Sequence, residues 1–464
     1  MKKFKKAMAL SLALAMGLSL VACGDDKKDD KDTTEAEKDT TESAGDDTTA
    51  PDDGAEMING EIKMPSADGE KIYVYSWNDE LGNRIDTHFR SRYPELSDLV
   101  VYENLNVSGT TDEYPAKIAG AVDSDKYPSI FAADESLALN FMEQNYVAPL
   151  SEAGITAEMY AESAYAYTVD YGTNDAGELM AATWQATPGI LCYNVAIAEE
   201  VLGTKDEAEV QAMLSDWDGF FEVAQKMKDA GYYMVSGPDE VKYPLLAQKT
   251  SPWVVDGKLN VDNGMTEDML ELSKKIYDEG YSANAAQWSS EWTANMSNGT
   301  VFCFFGTTWY MSDTVFVTED VLYRGCTGPT GYYWGGSYFL LGKDCPNKEL
   351  AGLVIYTLTC DEEAMYDLYA IDGDFPNNSI AVEKLIADGV GAIEKLDGTN
   401  PCAAFHEGAQ KIDLSNSTAF DSQINNCLST VSGMYNTGEL SSVEDAIAEL
   451  KAQVAGSLTA ITVE

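Results

Sequence analysis

The chain has 464 residues, with 78 acidic against 30 basic side chains and a formal net charge of −48. Such an excess of negative charge repels nucleic acid and anionic lipid headgroups, which excludes nucleic-acid binding and adsorption to an acidic membrane surface. The hydrophobic share of 45% supports a sizeable core, and the length is more than one core usually organises, so two domains are predicted.

Lys2, Lys3, Lys5 and Lys6 form a basic start, and Ala7 to Leu20 is an unbroken run of Ala, Leu, Met, Ser and Gly. That run is shorter than the roughly 20 helical residues needed to cross a bilayer, and it fits the apolar centre of a secretory signal peptide. Leu20-Val21-Ala22-Cys23 resembles the lipobox of bacterial lipoproteins. The resemblance implies removal of residues 1–22, acylation of Cys23 (palmitate among the acyl groups) and anchoring at the extracellular face of a cell membrane without an outer membrane beyond it. One acyl chain gives only marginal anchoring, so two or three are expected. Residues 23–66 are predicted to be a disordered acidic linker. Its low-complexity part, Gly24 to Glu56, has no large apolar residue with which to offset ordering entropy.

A strand is predicted over Lys71–Tyr75, running into Ser76-Trp77-Asn78-Asp79. Leu81, Ile85 and Phe89 at four-residue spacing mark a helix closed before Tyr93-Pro94. A strand at Leu99–Tyr102, a helix at Tyr114–Val122, a strand at Ser129–Ala132 and a helix at Glu135–Asn145 follow. This alternation predicts a parallel sheet covered on both faces, with ligand bound beyond the strands' carboxyl ends. Trp77-Asn78-Asp79-Glu80 and Asp134-Glu135 gain weight as site segments on that ground. Later come a strand ending at Leu191–Asn194 and a helix striped by Trp217, Phe220, Phe221, Ala224 and Met227. A helix over Thr266–Gly280 and a buried strand at Val301–Phe305 lead to an aromatic loop, Tyr332–Gly336. A strand at Ser337–Leu341, a helix at Asn347–Thr359 and a terminal amphipathic helix through Val443, Ile447, Leu450 and Val454 complete the series.

The chemistry-bearing residues argue against an enzyme. There are two histidines: His88, expected on a helix surface, and His406, four residues after Cys402. No G-x-S-x-G, phosphate loop or H-E-x-x-H occurs. The cysteines other than Cys23 show no C-x-x-C, so no metal site is predicted and mostly free thiols are expected. No cofactor is called for. A glycosidase needs two carboxylates facing each other across a cleft, and nothing in the sequence singles out such a pair.

Four segments resemble the extracellular solute-binding proteins of ABC sugar importers, the maltose-binding-like group called family 1. They are Ile72–Trp77, then Tyr127–Asp134 leading to Val147-Ala148-Pro149-Leu150, then Met296–Trp309, and Gly335-Gly336-Ser337 with Pro346–Ala351. Together they span nearly all of residues 67–464. Thr300-Val301 departs from the family's usual charged residue and Ala. The resemblance implies an α/β, two-lobed, periplasmic-binding-protein-like fold with three hinge crossings, near Trp184–Thr187, Gly336–Leu340 and Phe375–Val382. The N-terminal lobe would be 67–185 with 338–380, and the C-terminal lobe 186–337 with 381–464. A monomer would close on a carbohydrate and engage two membrane permease subunits.

A sugar offers apolar C–H faces and a belt of hydroxyls, so its site needs flat aromatics and polar rims. Trp77, Trp309, Trp334 and Trp253 are the candidate platforms, with Trp217 and Trp292 assigned to the core. Asn78, Glu80, Asp134, Glu135, Gln185, Asp374 and Asn377 are the polar candidates, with Gly336 at the second crossing. Bland roles compete: Glu80 as a first-turn acid facing the helix dipole, Asp134 as an N-cap, Asp374 and Asn377 as turn residues. A sugar-binding protein is the leading reading. A surface glycoside hydrolase and a tethered adhesin are the alternatives.

Overall fold

The computed structural model describes residues 57–313, 321–393 and 396–464. The signal segment, Cys23 and the acidic stretch to Glu56 lie outside the described residues. Gly54–Glu464 is one compact unit by its internal contacts. Its described part begins earlier than expected: Met57–Ile58 and Ile62–Lys63 form an antiparallel hairpin. Ile62 is 3% exposed in the core, and Lys63 pairs with Glu349 at 2.8 Å. The predicted linker therefore does not extend to residue 66, because Ile62 is buried and Ile58 and Met64 pack beside it on the first-lobe core.

In chain order the first lobe contains β1 (Ile72–Ser76), α1 (Glu80–Arg84), β2 (Val100–Asn104), β3 (Pro128–Asp134), α2 (Glu135–Met142) and β4 (Ala181–Thr183). The turn Ile85–Phe89 prolongs α1 with wider, π-type winding. Two-residue alternation in the strands builds two cores at once. On β1, Ile72 and Val74 enter one apolar cluster while Tyr75 enters the other. On β3, Ile130 and Ala132 face the first and Phe131 and Ala133 the second.

The chain then crosses into the second lobe through β5 (Pro188–Asn194), α3 (Trp217–Ala230), α4 (Lys242–Leu246), α5 (Met265–Asp278), β6 (Cys303–Gly306), α6 (Thr308–Asp313) and β7 (Tyr323–Cys326). Helix α3 shows how local sequence sets the packing. Asp216 caps its start by accepting from the Gly219 amide at 2.8 Å, and Gly231 ends it at φ 89°. Phe220, Val223, Ala224 and Met227, spaced by three or four, are buried against the sheet. That sheet is β6-β5-β7, antiparallel throughout, with Tyr332–Tyr333 also pairing onto Pro188–Gly189. Part of the predicted aromatic loop is thus a short strand.

The chain returns through β8 (Ser337–Gly342), α7 (Lys348–Thr357) and α8 (Glu362–Asp372), then passes to α9 (Ser379–Asp388), α10 (Asp421–Asn436) and α11 (Val443–Ser457). Strand β8 lies antiparallel to β3, with Ser337 opposite Asp134, and also pairs β4. Strands β1, β2 and β3 are mutually parallel. The predicted all-parallel sheet is therefore corrected to a mixed one, since a strand entering from the other lobe arrives head-on.

Three chain segments meet where the lobes join. Gln185 bridges Pro376, the Ala186 amide donates to Phe375 O at 3.1 Å, and the Asn377 amide to Trp184 O at 3.0 Å. Thr187 Oγ1 donates to Gly335 O at 2.9 Å. Gly336 sits at φ 111°, and a Cβ there would lie 3.0 Å from the Tyr333 hydroxyl. This crossing needs glycine for both reasons. The third junction is confined to Phe375–Asn377, because Ser379 already begins α9.

The second lobe also buries a carboxyl held by uncharged donors. Glu240, 2% exposed, accepts from Trp292 Nε1 and from the Phe305 amide. Burial pushes its pKa from the ordinary 4.5 to about 8, the Trp292 hydrogen bond only partly opposing. Folded protein keeps this proton where unfolded chain loses it, so stability is fully present below pH 4.5 and falls until about pH 8. The slope is about 1.4 kcal/mol per pH unit for one such group. In Glu240→Gln, denaturant melts from pH 5 to 8.5 should show a flatter pH dependence; an unchanged slope would assign the titration elsewhere.

The seven described cysteines are free, matching expectation. His88 corrects the surface assignment: it is fully buried, with Nε2 2.6 Å from Asp372 Oδ2. The α1 extension packs against the end of α8, which turns His88 toward Asp372 rather than toward water. No helix among the described residues is long and apolar enough to cross a membrane.

Candidate functional site

A cleft of about 770 Å³ opens where the three crossings meet, lined from both lobes. Its first-lobe wall comes from the carboxyl ends of β1 and β3. Trp77 follows β1 and stands edge-on to Tyr114 at 5.4 Å. Gly109 supports the indole from behind, since a Cβ there would meet the ring at 2.4 Å. Asn78 Oδ1 accepts from the Glu80 amide at 2.9 Å and so starts α1. At the end of β3, Asp134 accepts from the Ser136 amide at 3.0 Å. Asp134 thus caps α2 and lines the cleft together with Glu135.

The second-lobe wall is aromatic. Trp309 stands in the first turn of α6 and is 37% exposed. Trp334 is 7% exposed, stacked on Tyr243 with centroids 4.3 Å apart and planes at 21°. The Trp309 and Trp334 rings meet edge-on at 5.2 Å. From α10, Ser422, Asn425 and Asn426 complete this side.

At the hinge end, charge is concentrated around one guanidinium. Arg84, one helical turn beyond Glu80, holds Asp372 at 2.8 Å and Asp374 at 3.5 Å. Burial alone would raise Asp372, but its hydrogen bond with His88 and the Arg84 charge outweigh that and hold it below the usual carboxylate range. Burial raises Asp374, with Arg84 only partly opposing. Glu80 is raised to about 7 by burial and by the neighbouring Asp374 charge. Glu135 is raised to about 8, first by burial and then by Asp134. Near neutral pH these two carboxyls carry protons for part of the time, so they can donate as well as accept hydrogen bonds.

Of the residues singled out from sequence, Trp77, Asn78, Glu80, Asp134, Glu135, Gln185, Trp309, Trp334, Gly336 and Asp374 line this one cleft. Gln185 is tied back by its Nε2 to Ser337 Oγ at 3.1 Å. Trp253 and Asn377 lie off the cleft and are corrected. Trp253 is fully buried, its Nε1 donating to Asn425 Oδ1 at 2.8 Å, so it supports a lining residue from behind. Asn377 is also fully buried. Its side chain accepts from the Tyr165 amide and Thr168, and donates to Tyr160 and to Thr183 O. With every polar position used, it pins the third crossing and has nothing left for a ligand.

Sequence reasoning missed Arg84, Asp372, Tyr243, Ser422, Asn425 and Asn426, all of which line the cleft. Arg84 carried a signal, sitting four residues after Glu80 on the same helix face. The α10 residues carried none, because they reach the cleft only through tertiary packing. No group of three or more His, Cys, Asp or Glu among the described residues is arranged to hold a metal ion.

Two α/β lobes, three crossings and a deep cleft between them define the architecture of a protein that captures a solute. Residues 104–389 match the family described as bacterial extracellular solute-binding protein, and the chain belongs to that family. The class is therefore an extracellular binding protein and not an enzyme. No curated protein sequence matches the chain. Among solved structures it is similar to an extracellular solute-binding protein of family 1, with TM-score 0.71 and 15% identity, covering 84% of this chain and 99% of that one. The sugar-binding protein MalE of Xanthomonas citri aligns with TM-score 0.65 and 15% identity, covering 83% and 96%. An ABC transporter associated binding protein of B. animalis subsp. lactis, in complex with beta-1,6-galactobiose, aligns with TM-score 0.56 and 18% identity, covering 84% and 98%.

Proposed function

We propose that the protein is the substrate-binding component of an ABC importer, capturing a sugar or oligosaccharide between its lobes and delivering it to two membrane permease subunits. The observation that carries this reading is the make-up of the cleft: indole faces from both lobes, with carboxyl, amide and hydroxyl groups around them. Trp309 and Trp77 are the platforms for sugar faces, with Trp334 in the cleft wall supporting Trp309 edge-on. Asn78, Glu80, Asp134, Glu135, Gln185 and Asp374 bind hydroxyls, with the backbone at Gly336 and the side chains of Asn425 and Asn426. The structural likeness to MalE and to the galactobiose-bound protein supports the same ligand class.

Cys23 anchors the protein by lipid to the outer face of the membrane, working as a monomer within reach of its transporter. The lipobox-like Leu20–Cys23 supports the anchor. Labelling of expressing cells with an alkyne fatty acid should mark the wild type and not Cys23→Ser.

Closure should stabilise the folded state. A sugar at about 100 times its Kd adds ~2.7 kcal/mol, a readily measured rise in Tm. A thermal-shift panel of mono- and oligosaccharides should therefore give at least one strong responder that is recovered chemically intact. Cleavage of that sugar would replace binding by glycoside hydrolysis. A flat response across the panel would replace it by adhesion or by a different solute.

A further inference from the structure

The cleft has an annex. A groove of about 340 Å³ runs between α4 and α10, over α5, and shares Lys242, Leu246 and Asn425 with the cleft. The shared residues place the two spaces side by side. Lys242 and Leu246 lie four apart on one face of α4, and Asn425 faces them from α10. Along α10, Ser422 and Asn426 belong to the cleft, Asn425 to both spaces, and Leu428, Ser429 and Ser432 to the groove. One helix therefore leads from the polar compartment directly into the other.

The two compartments differ in chemistry. The cleft is crowded with carboxyls and amides. The groove has Leu245, Met269, Leu270 and Leu428 in its wall. Its charged lining groups, Asp239 and Lys242, have opposite signs and lie at the α4 end. Its hydroxyls and amides are largely spent within the protein: Ser432 and Asn436 donate to Ser273, Ser429 to Asn425 O and Thr437 to Gly433 O. Uncharged apolar matter suits the leucine and methionine wall left between them. The Asn425 hydrogen bond from Trp253 and the stacking of Tyr243 under Trp334 hold the junction from both sides.

We propose that this groove receives an apolar substituent carried by the ligand: the solute is a glycoside or acylated sugar whose sugar part lies in the cleft and whose alkyl or aryl part lies between α4 and α10. The proposal rests on the sugar reading above and sharpens it from carbohydrate to substituted carbohydrate. Groove and cleft act as one amphipathic site, continuous through Lys242, Leu246 and Asn425.

The test uses the full-length protein and the methyl, butyl and hexyl glycosides of whichever sugar stabilises it, measured by calorimetry. Affinity should rise with chain length, up to roughly fourfold per methylene, the ratio that burial of one CH₂ supports. Ser429→Trp, which fills the groove from α10, should remove that rise while leaving the methyl glycoside's affinity within about twofold. Ser429→Leu serves as a milder filling if the first variant does not fold, and should shorten the series. Equal affinity for methyl and hexyl glycosides overturns the proposal while leaving sugar binding intact. A chain-length rise that persists in the filled variant also overturns it. No response to any sugar removes the reading beneath, and the proposal with it.

Discussion

Arg84→Met is expected to cost about 3–5 kcal/mol of folding stability near pH 8, the range for stripping one partner from a buried ion pair. Arg84 is paired with Asp372 and Asp374, and the two acids are only 17% and 6% exposed. Its Met replacement keeps the aliphatic volume and removes the charge, leaving Asp372, Asp374 and Glu80 facing one another. The pH dependence identifies the cause. Asp372 is depressed in the folded state, so its contribution is present above the unfolded value of 3.8 and is lost as pH falls through the lower folded value. Without Arg84 that contribution disappears and the acids hold protons to higher pH. Urea melts at pH 8, 6 and 4.5 should therefore show a deficit that shrinks as the pH falls. A pH-independent deficit would mean that lost packing, not charge, is responsible.

Trp309→Ala should weaken sugar binding by at least about 30-fold, the loss of a binding hot spot worth ~2 kcal/mol or more, while the unliganded protein melts within a degree or two of wild type. The reason for the split is exposure. Trp309 already shows 37% of its surface and touches its neighbours by ring edges. Trp334→Ala is the contrast. At 7% exposure and stacked on Tyr243, its loss should destabilise the empty protein by ~3–5 kcal/mol, as large aromatic truncations in cores do. Melting curves of both variants with and without ligand separate the roles. If Trp309→Ala unfolds like Trp334→Ala, Trp309 belongs to the core and the platform assignment fails.

The elements most legible in the sequence were those whose signal is local. Trp217–Ala230 announced itself by a helical stripe between Asp216 and Gly231. Asp134 read correctly as a cap because capping needs only the next two residues. Trp309 and Trp334 stood beside Gly or Thr after strands, and the structure places both on the cleft. Asn377 and Trp253 misled because an Asn near a turn and a Trp after a Pro look alike whether they face solvent or core. His88 misled because a lone histidine on a short helix gives no hint that Asp372, 284 residues later, waits beside it.

The sequence by itself determined the acidic charge that excludes polyanionic partners and the period-two strands that put two cores on one sheet. These depend on side-chain chemistry and on periods of two or three to four residues, which neighbours along the chain suffice to set. Only the tertiary structure decided that β8 enters its sheet antiparallel and that Arg84 stands between Asp372 and Asp374. It alone decided that α10 carries Asn425 to the cleft and Leu428 to the groove beside it. Those facts join residues hundreds of positions apart, and their energies come from burial and charge pairing that exist only once both lobes are folded around the hinge.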